Sequence, residues 1–148
     1  MTFNTIVIHF HSILRWLILV FMLISVINAI IQLYRKNITL NNVMIFSRLS
    51  VISAHIQLLL GFVLYFISNK VVFDAMSMKN AVQRFFLVEH GLIMLISIAL
   101  ITIGYVKSKR AIDNKKKFRI LLIYYTISLI LILIAIPWPF RGLGGQWF

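Results

Sequence analysis

Four apolar stretches, each long enough to cross a lipid bilayer as an α-helix, constrain the fold of this chain more than any other feature. They cover residues 6–33, 43–67, 85–105 and 120–136. A spanning helix needs about 20 mostly apolar residues, and a helix satisfies its backbone hydrogen bonds within one segment, as hydrocarbon requires. We therefore predict an all-α membrane protein in which residues 1–148 form a single domain, a bundle of four transmembrane helices running up and down.

Basic residues are concentrated in two of the three loops between these stretches. The chain carries 15 lysines and arginines against 3 acidic residues. The loop before the fourth stretch holds Lys107, Lys109, Arg110, Lys115, Lys116, Lys117 and Arg119, and the loop after the first holds Arg35 and Lys36. Positively charged loops stay in the cytoplasm, which predicts a bacterial inner-membrane protein with both termini in the periplasm. Because these charges flank apolar runs, we expect the lipid bilayer, and not nucleic acid, as their partner.

The chain contains no cysteine. This excludes disulfide bonds, iron–sulfur clusters, thiolate ligation of haem and covalent attachment of a c-type haem. Any metal or haem site must therefore form without thiolate ligands.

Three histidines, His11, His55 and His90, lie inside the apolar stretches. An ionisable side chain there costs from about 2.5 kcal/mol upward and indicates a functional site by default, and neutral imidazole is a common ligand of metals and haem iron. In an up-down bundle the first and third helices are diagonal neighbours, with His11 and His90 at similar depth. We predict these two as axial ligands of one haem b. His55 is an alternative partner of His90 if the haem is tilted, or a hydrogen-bonding partner of a ligand or quinone.

Two charged residues accompany the histidines. Arg15 lies one helical turn after His11 on the same face, and Glu89 precedes His90 at nearly the depth of Arg15. An unpaired charge at this depth is strongly unfavourable, so we predict an ion pair between Arg15 and Glu89 across the core. This pair either sets the helix register or serves haem or quinone chemistry. Arg84 and Arg141, nearer the surface, are better placed than Arg15 to bind haem propionates.

The sequence resembles a family of small four-helix inner-membrane proteins of Bacteroidetes-type bacteria that are labelled cytochrome b. The matching strings are HSILRW at 11–16, AHIQLLLG at 54–61, LYF at 64–66, MKNAVQRF at 78–85, VEH at 88–90, IPWPFR at 136–141 and the final WF. The resemblance covers nearly the whole chain and implies haem b as the cofactor. It also implies that His11, His55 and His90, with Arg15 and Glu89, are functional residues. The layout is more distantly similar to a four-helix half of haem A synthase and to the four-helix protoporphyrinogen oxidase of bacteria.

These observations favour a haem b protein that transfers electrons to or from a quinone or a membrane redox partner, as one subunit of a larger complex or as a homo-oligomer. Three alternatives remain open. One is a non-haem metal site in which His11, His55, His90 and Glu89 bind Zn²⁺ or copper. The others are a haem- or quinone-dependent oxidoreductase of tetrapyrrole synthesis and a structural or assembly subunit without a cofactor.

Overall fold

The computed structural model describes residues 2–35, 41–145 and 147. Within these residues, four helices are long and apolar enough to cross a membrane. We label them α1 (Phe3–Tyr34), α2 (Asn41–Ile67), α3 (Ala81–Arg110) and α4 (Asn114–Ala135). The predicted all-α class is thus confirmed, and the chain is a multi-pass membrane protein.

The helices extend past the predicted apolar stretches, most clearly in α3 and α4. We predicted these two over 85–105 and 120–136, and they run from Ala81 to Arg110 and from Asn114 to Ala135. The added turns contain lysines and arginines, which are good helix formers. The Asp113 carboxylate caps α4 by accepting a hydrogen bond of 2.7 Å from the Lys116 amide. The apolar stretch therefore indicates the part of each helix that can lie in hydrocarbon. The capping residue Asp113 determines where α4 begins.

The helices pack as neighbours around a square. Helix α1 packs along α2 and α4, α3 packs along α4, and α2 makes a less extensive contact with α3. Helices α1 and α3 therefore lie on one diagonal of the bundle and α2 and α4 on the other, as an up-down arrangement predicts.

Small residues line the helix contacts. Buried serines donate to the carbonyl four residues earlier in their own helix: Ser25, Ser47, Ser50, Ser53, Ser97 and Ser128. At Gly104 on α3, an added Cβ atom would lie 2.5 Å from Cβ of Tyr124 on α4. Association of helices in a membrane depends on such close backbone approach, because lipid tails are as apolar as leucine.

Helix α4 is the shortest of the four. It has 22 residues against 32 in α1, which at a rise of about 1.5 Å per residue makes it about 15 Å shorter. We call the end of the bundle at which α1 begins and α4 ends the terminal end, and the opposite end, with its lysine-rich loop, the basic end. At the terminal end α4 is followed by a C-terminal segment (residues 137–145 and 147), which begins at a proline that cannot extend the helix hydrogen-bonding pattern.

The C-terminal segment folds back onto the terminal end of the bundle. The Trp147 carbonyl accepts hydrogen bonds from Arg15 Nη2 at 2.8 Å and from Trp16 Nε1 at 3.0 Å. Gly145 approaches Pro137 so closely that an added Cβ atom would lie 1.6 Å from the Pro137 carbonyl oxygen. This contact requires a glycine at position 145 and sets the course of the segment.

Candidate functional site

The imidazole rings of His11 and His90 face each other across a diagonal of the bundle near its terminal end. Their centroids lie 6.4 Å apart and their planes are inclined by 61°. His11 comes from α1, and His90 comes from α3. The two histidines that we predicted as a ligand pair are therefore brought together.

The separation of the two rings suits coordination of one metal ion between them. Metal–nitrogen bonds of imidazole are about 2.0–2.1 Å long. Two imidazoles bound on opposite sides of one ion therefore have centroids about 6.3 Å apart, close to the separation found here.

A backbone contact sets the protonation of His90. Its Nδ1 atom lies 2.8 Å from the carbonyl oxygen of Ala135, at the end of α4. Since a carbonyl only accepts, Nδ1 carries the proton and Nε2 keeps its lone pair. Metal-binding histidines are commonly held in this way, with the second ring nitrogen donating to a carbonyl or carboxylate. The contact with Ala135 thus fixes the tautomer and the orientation of the His90 ring.

His11 has an open ring nitrogen. Its Nδ1 atom is buried and has no hydrogen-bond partner among the described residues. On the adjacent helix α2, an ideal Cβ atom added to Gly61 would lie 3.4 Å from Cε1 of His11. Gln57, one turn before Gly61, donates to the His11 carbonyl at 2.9 Å, and its Oε1 atom is also buried without a partner in the described chain. The site therefore contains unused hydrogen-bonding and coordinating capacity.

A π-helical turn, Phe85–Glu89, precedes His90 and interrupts α3. The His90 amide bonds to the carbonyl of Phe85, five residues earlier. One residue added to a helix rotates every following side chain by about 100°, so this turn decides which way His90 faces. The Tyr65 hydroxyl of α2 donates to the Leu87 carbonyl within the turn at 3.0 Å. Single π turns are rare and frequent at functional sites, and the sequence carried no signal for this one.

The predicted ion pair between Arg15 and Glu89 is wrong. In the described chain Glu89 pairs with Arg84 instead, with Nε and Oε1 2.7 Å apart. The π turn explains the change, because its hydrogen bonds join residues five positions apart and bring such residues to the same face. The Arg15 guanidinium lies over the Trp16 ring at 5.4 Å and donates to the C-terminal segment.

Two cations lie beside the aromatic rings that flank His90. The rings of Phe85 and Phe86 stand 5.8 and 6.4 Å from that of His90. The Arg141 guanidinium lies 5.2 Å from the Phe85 centroid, and Lys70 Nζ lies 5.1 Å from that of Phe86. Lys70 also donates to the Gly144 carbonyl at 2.5 Å, and burial lowers the pKa of its ammonium group. We predicted that Arg141 binds haem propionates but did not predict a role for Lys70, because Lys70 lies in a loop without a recognisable motif.

His55 does not join the pair. Its side chain is exposed on the outside of α2 and its Nδ1 atom lies 2.8 Å from the Val51 carbonyl of the same helix. Among the residues that the structure describes, no group of three or more histidines, cysteines or acids is arranged to hold a metal ion. The predicted metal site of three histidines with Glu89 is therefore not assembled.

Comparisons of this chain with models of protein families, with curated proteins and with solved structures found no match.

Proposed function

We propose that His11 and His90 are the axial ligands of one haem b, and that the protein transfers electrons within the membrane, to or from a quinone or a membrane redox partner. One observation carries the proposal: two imidazoles from diagonal helices stand 6.4 Å apart, each with a nitrogen available for a bond to iron. Haem iron supplies the change of oxidation state by one electron, and its ligands and surroundings tune the potential.

The chain's own residues have separate tasks in this proposal. Ala135 holds the His90 ring through Nδ1, and the phenyl rings of Phe85 and Phe86 shield it from water. The missing side chain of Gly61 lets the His11 ring lie close against α2. Arg141 and Lys70 provide positive charge for the propionates of a haem. Arg84, our other candidate for that role, is engaged with Glu89.

The distribution of charge supports a direction in the membrane. The basic end carries the lysine-rich loop, and positively charged loops remain in the cytoplasm of bacteria. We therefore propose a bacterial inner-membrane location with the terminal end, and both chain termini, on the periplasmic side. The histidine pair then lies within the periplasmic half of the bilayer.

A second candidate is a single copper ion held by the same two imidazoles without a porphyrin. The observation that favours it is the separation of the two ring centroids, 6.4 Å, which is close to that of two imidazoles bound to one ion. Imidazole is a suitable ligand for copper.

Absorption spectra and metal analysis of the purified protein test both candidates. From haem-replete cells we expect a Soret band and a pyridine haemochrome of haem b, both lost in His11→Ala and in His90→Ala. His9→Ala, on the same helix but two residues away, is the matched control and should retain both signals. A colourless wild type overturns the haem proposal, and copper in a colourless wild type that disappears in the two variants establishes the second candidate.

A further inference from the structure

His55 lies at the middle of a membrane-spanning helix and faces away from the bundle. It stands 14 residues after Asn41 and 12 before Ile67, the ends of α2. Its side chain is exposed. Ionisable residues in spanning helices almost always face a bundle interior or a water-filled cavity, so an outward histidine requires a reason.

The chemistry that His55 offers to the lipid is defined by a contact within its own helix. Its Nδ1 atom lies 2.8 Å from the Val51 carbonyl, which can only accept, so Nδ1 carries the proton. The Nε2 atom then presents a bare lone pair, and no described residue of the chain bonds to it. His55 therefore offers a hydrogen-bond acceptor and no further donor.

Only molecules dissolved in the hydrocarbon can reach this acceptor. Its neighbours on the same face are Ile52, Ile56 and Leu59, whose side chains are 49%, 47% and 68% exposed. Water is scarce at this depth, and a polar group without a partner there costs several kcal/mol in the extreme of a purely apolar medium. The natural occupant is an apolar molecule that carries an O–H or N–H donor.

A symmetric contact between the His55 side chains of two copies is unfavourable. Two copies inserted in the same direction would bring two His55 rings to the same depth, and each ring would present an acceptor to the other. Lone pairs that face each other without a shared proton repel, so the required partner is chemically different from His55 itself.

Resting on the proposed electron-transfer function, we propose that His55 binds a hydroxyl group of a lipid-soluble hydroquinone, which makes the lipid-facing side of α2 the docking site of the redox partner. The same helix reaches the histidine pair, because Gly61 adjoins His11. Gly61 is six residues from His55, about 9 Å along the helix axis. The hydroquinone would thus dock on the helix that also contacts His11.

Nitrogen NMR of histidine side chains tests the binding step without relying on haem. The full-length protein, labelled with ¹⁵N-histidine and reconstituted in lipid nanodiscs, is titrated with durohydroquinone. We expect the Nε2 resonance of His55, assigned by its loss in His55→Leu, to move as the hydroxyl group donates to it. The dimethyl ether of durohydroquinone has the same ring without donors and should cause no such shift.

Reduction kinetics provide a second readout. Durohydroquinone gives one electron to each of two haems and releases two protons as it becomes duroquinone. In haem-loaded nanodiscs, with durohydroquinone well below saturation, His55→Leu should slow this reduction about tenfold, since one net hydrogen bond of about 1.4 kcal/mol is worth that factor in affinity. Reduction by dithionite should not change, and Ile52→Leu, on the same face, should behave as wild type.

The outcomes separate the two proposals. An absent shift, or an equal shift with the dimethyl ether, overturns the hydroquinone site. The hydroquinone site is also overturned if His55→Leu no longer co-purifies with a partner protein but keeps the wild-type rate of haem reduction. A helix of that protein would then be the molecule that contacts His55. A His55 shift in a protein that never takes up haem overturns the proposed haem function and leaves the hydroquinone site standing.

Discussion

The hydroxyl group of Tyr125 on α4 donates a hydrogen bond of 2.8 Å to the backbone carbonyl of Ser47 on α2. The two helices lie on a diagonal of the bundle, so this bond crosses its centre. Tyr125 and Ser47 are both fully buried, at 0% exposure. Because water is excluded there, the bond ties together two helices that do not otherwise pack along each other.

Replacing Tyr125 by phenylalanine tests the value of this bond. The ring volume is kept and one donor is removed, and hydrogen bonds between membrane helices are worth about 0.6 kcal/mol on average and about 1.7 kcal/mol at most. We expect a loss of stability in this range, measured by unfolding in SDS. Tyr34→Phe, at a side chain that is 86% exposed, should cause no loss, and equal behaviour of the two variants would show that the central bond does not contribute.

Gly104→Ala should destabilise the contact between α3 and α4. The added Cβ atom would meet Cβ of Tyr124 at 2.5 Å, and because both atoms are attached directly to the main chain, the helices themselves must separate. Such overpacking costs about 1–3 kcal/mol. Gly91→Ala on the same helix is the matched control, since its added Cβ atom meets nothing within 4 Å, and SDS unfolding of both variants should show a loss only at Gly104.

Gly61→Leu should displace the histidine pair while both imidazole side chains remain chemically unchanged. An added Cβ atom already lies 3.4 Å from Cε1 of His11, so the larger side chain must push the His11 ring away. Changes in groups that orient a ligand typically weaken metal binding about 10–100-fold. Titration of the purified apoprotein with haem should show a loss of this size, while Gly91→Ala should bind as wild type. Unchanged affinity in Gly61→Leu would mean that His11 is not a ligand.

Double-mutant cycles distinguish the observed ion pair from the one that the sequence predicted. Arg84 and Glu89 are each 42% exposed, so solvent screens their interaction, and exposed pairs are worth about 0.2–1 kcal/mol. We expect a coupling energy in this range between Arg84→Met and Glu89→Gln in SDS unfolding. The cycle of Arg15→Met with Glu89→Gln should give a coupling near zero; a larger value there than at Arg84 would contradict the observed pairing.

Gly145→Ala should release the C-terminal segment from the bundle. The Cβ atom would lie 1.6 Å from the Pro137 carbonyl oxygen, so the chain cannot keep its course. The Trp147 ring, which stacks on Trp16 with centroids 6.4 Å apart, should then move into a more polar environment. We expect red-shifted tryptophan emission and faster proteolysis after residue 137. Leu143→Ala, a substitution in the same segment without this clash, is the control, and wild-type emission in Gly145→Ala would show that the segment is held elsewhere.

Much of the candidate site was predictable because the membrane makes polar residues conspicuous. His11 and His90 stand out in apolar stretches, and alternating helix direction is enough to place them at similar depth on diagonal helices. Their neighbours were less predictable. The pairing of Glu89 with Arg84 depends on a π turn. The position of Lys70 depends on a loop and on the C-terminal segment, and neither of these shows a periodic pattern of apolar residues from which its conformation could be predicted.

The apolar runs and their charged borders by themselves determined the class of the protein and the number of its spanning helices, because hydrocarbon admits few backbone structures and charges cannot enter it cheaply. Tertiary structure alone decided which way each side chain points around those helices. His55 shows the difference most plainly, because its place in the sequence resembles that of His11 and His90, yet packing turns it toward lipid. Rotation about a helix axis is set by contacts between helices, and in a chain that is apolar on nearly every face the sequence period does not reveal it.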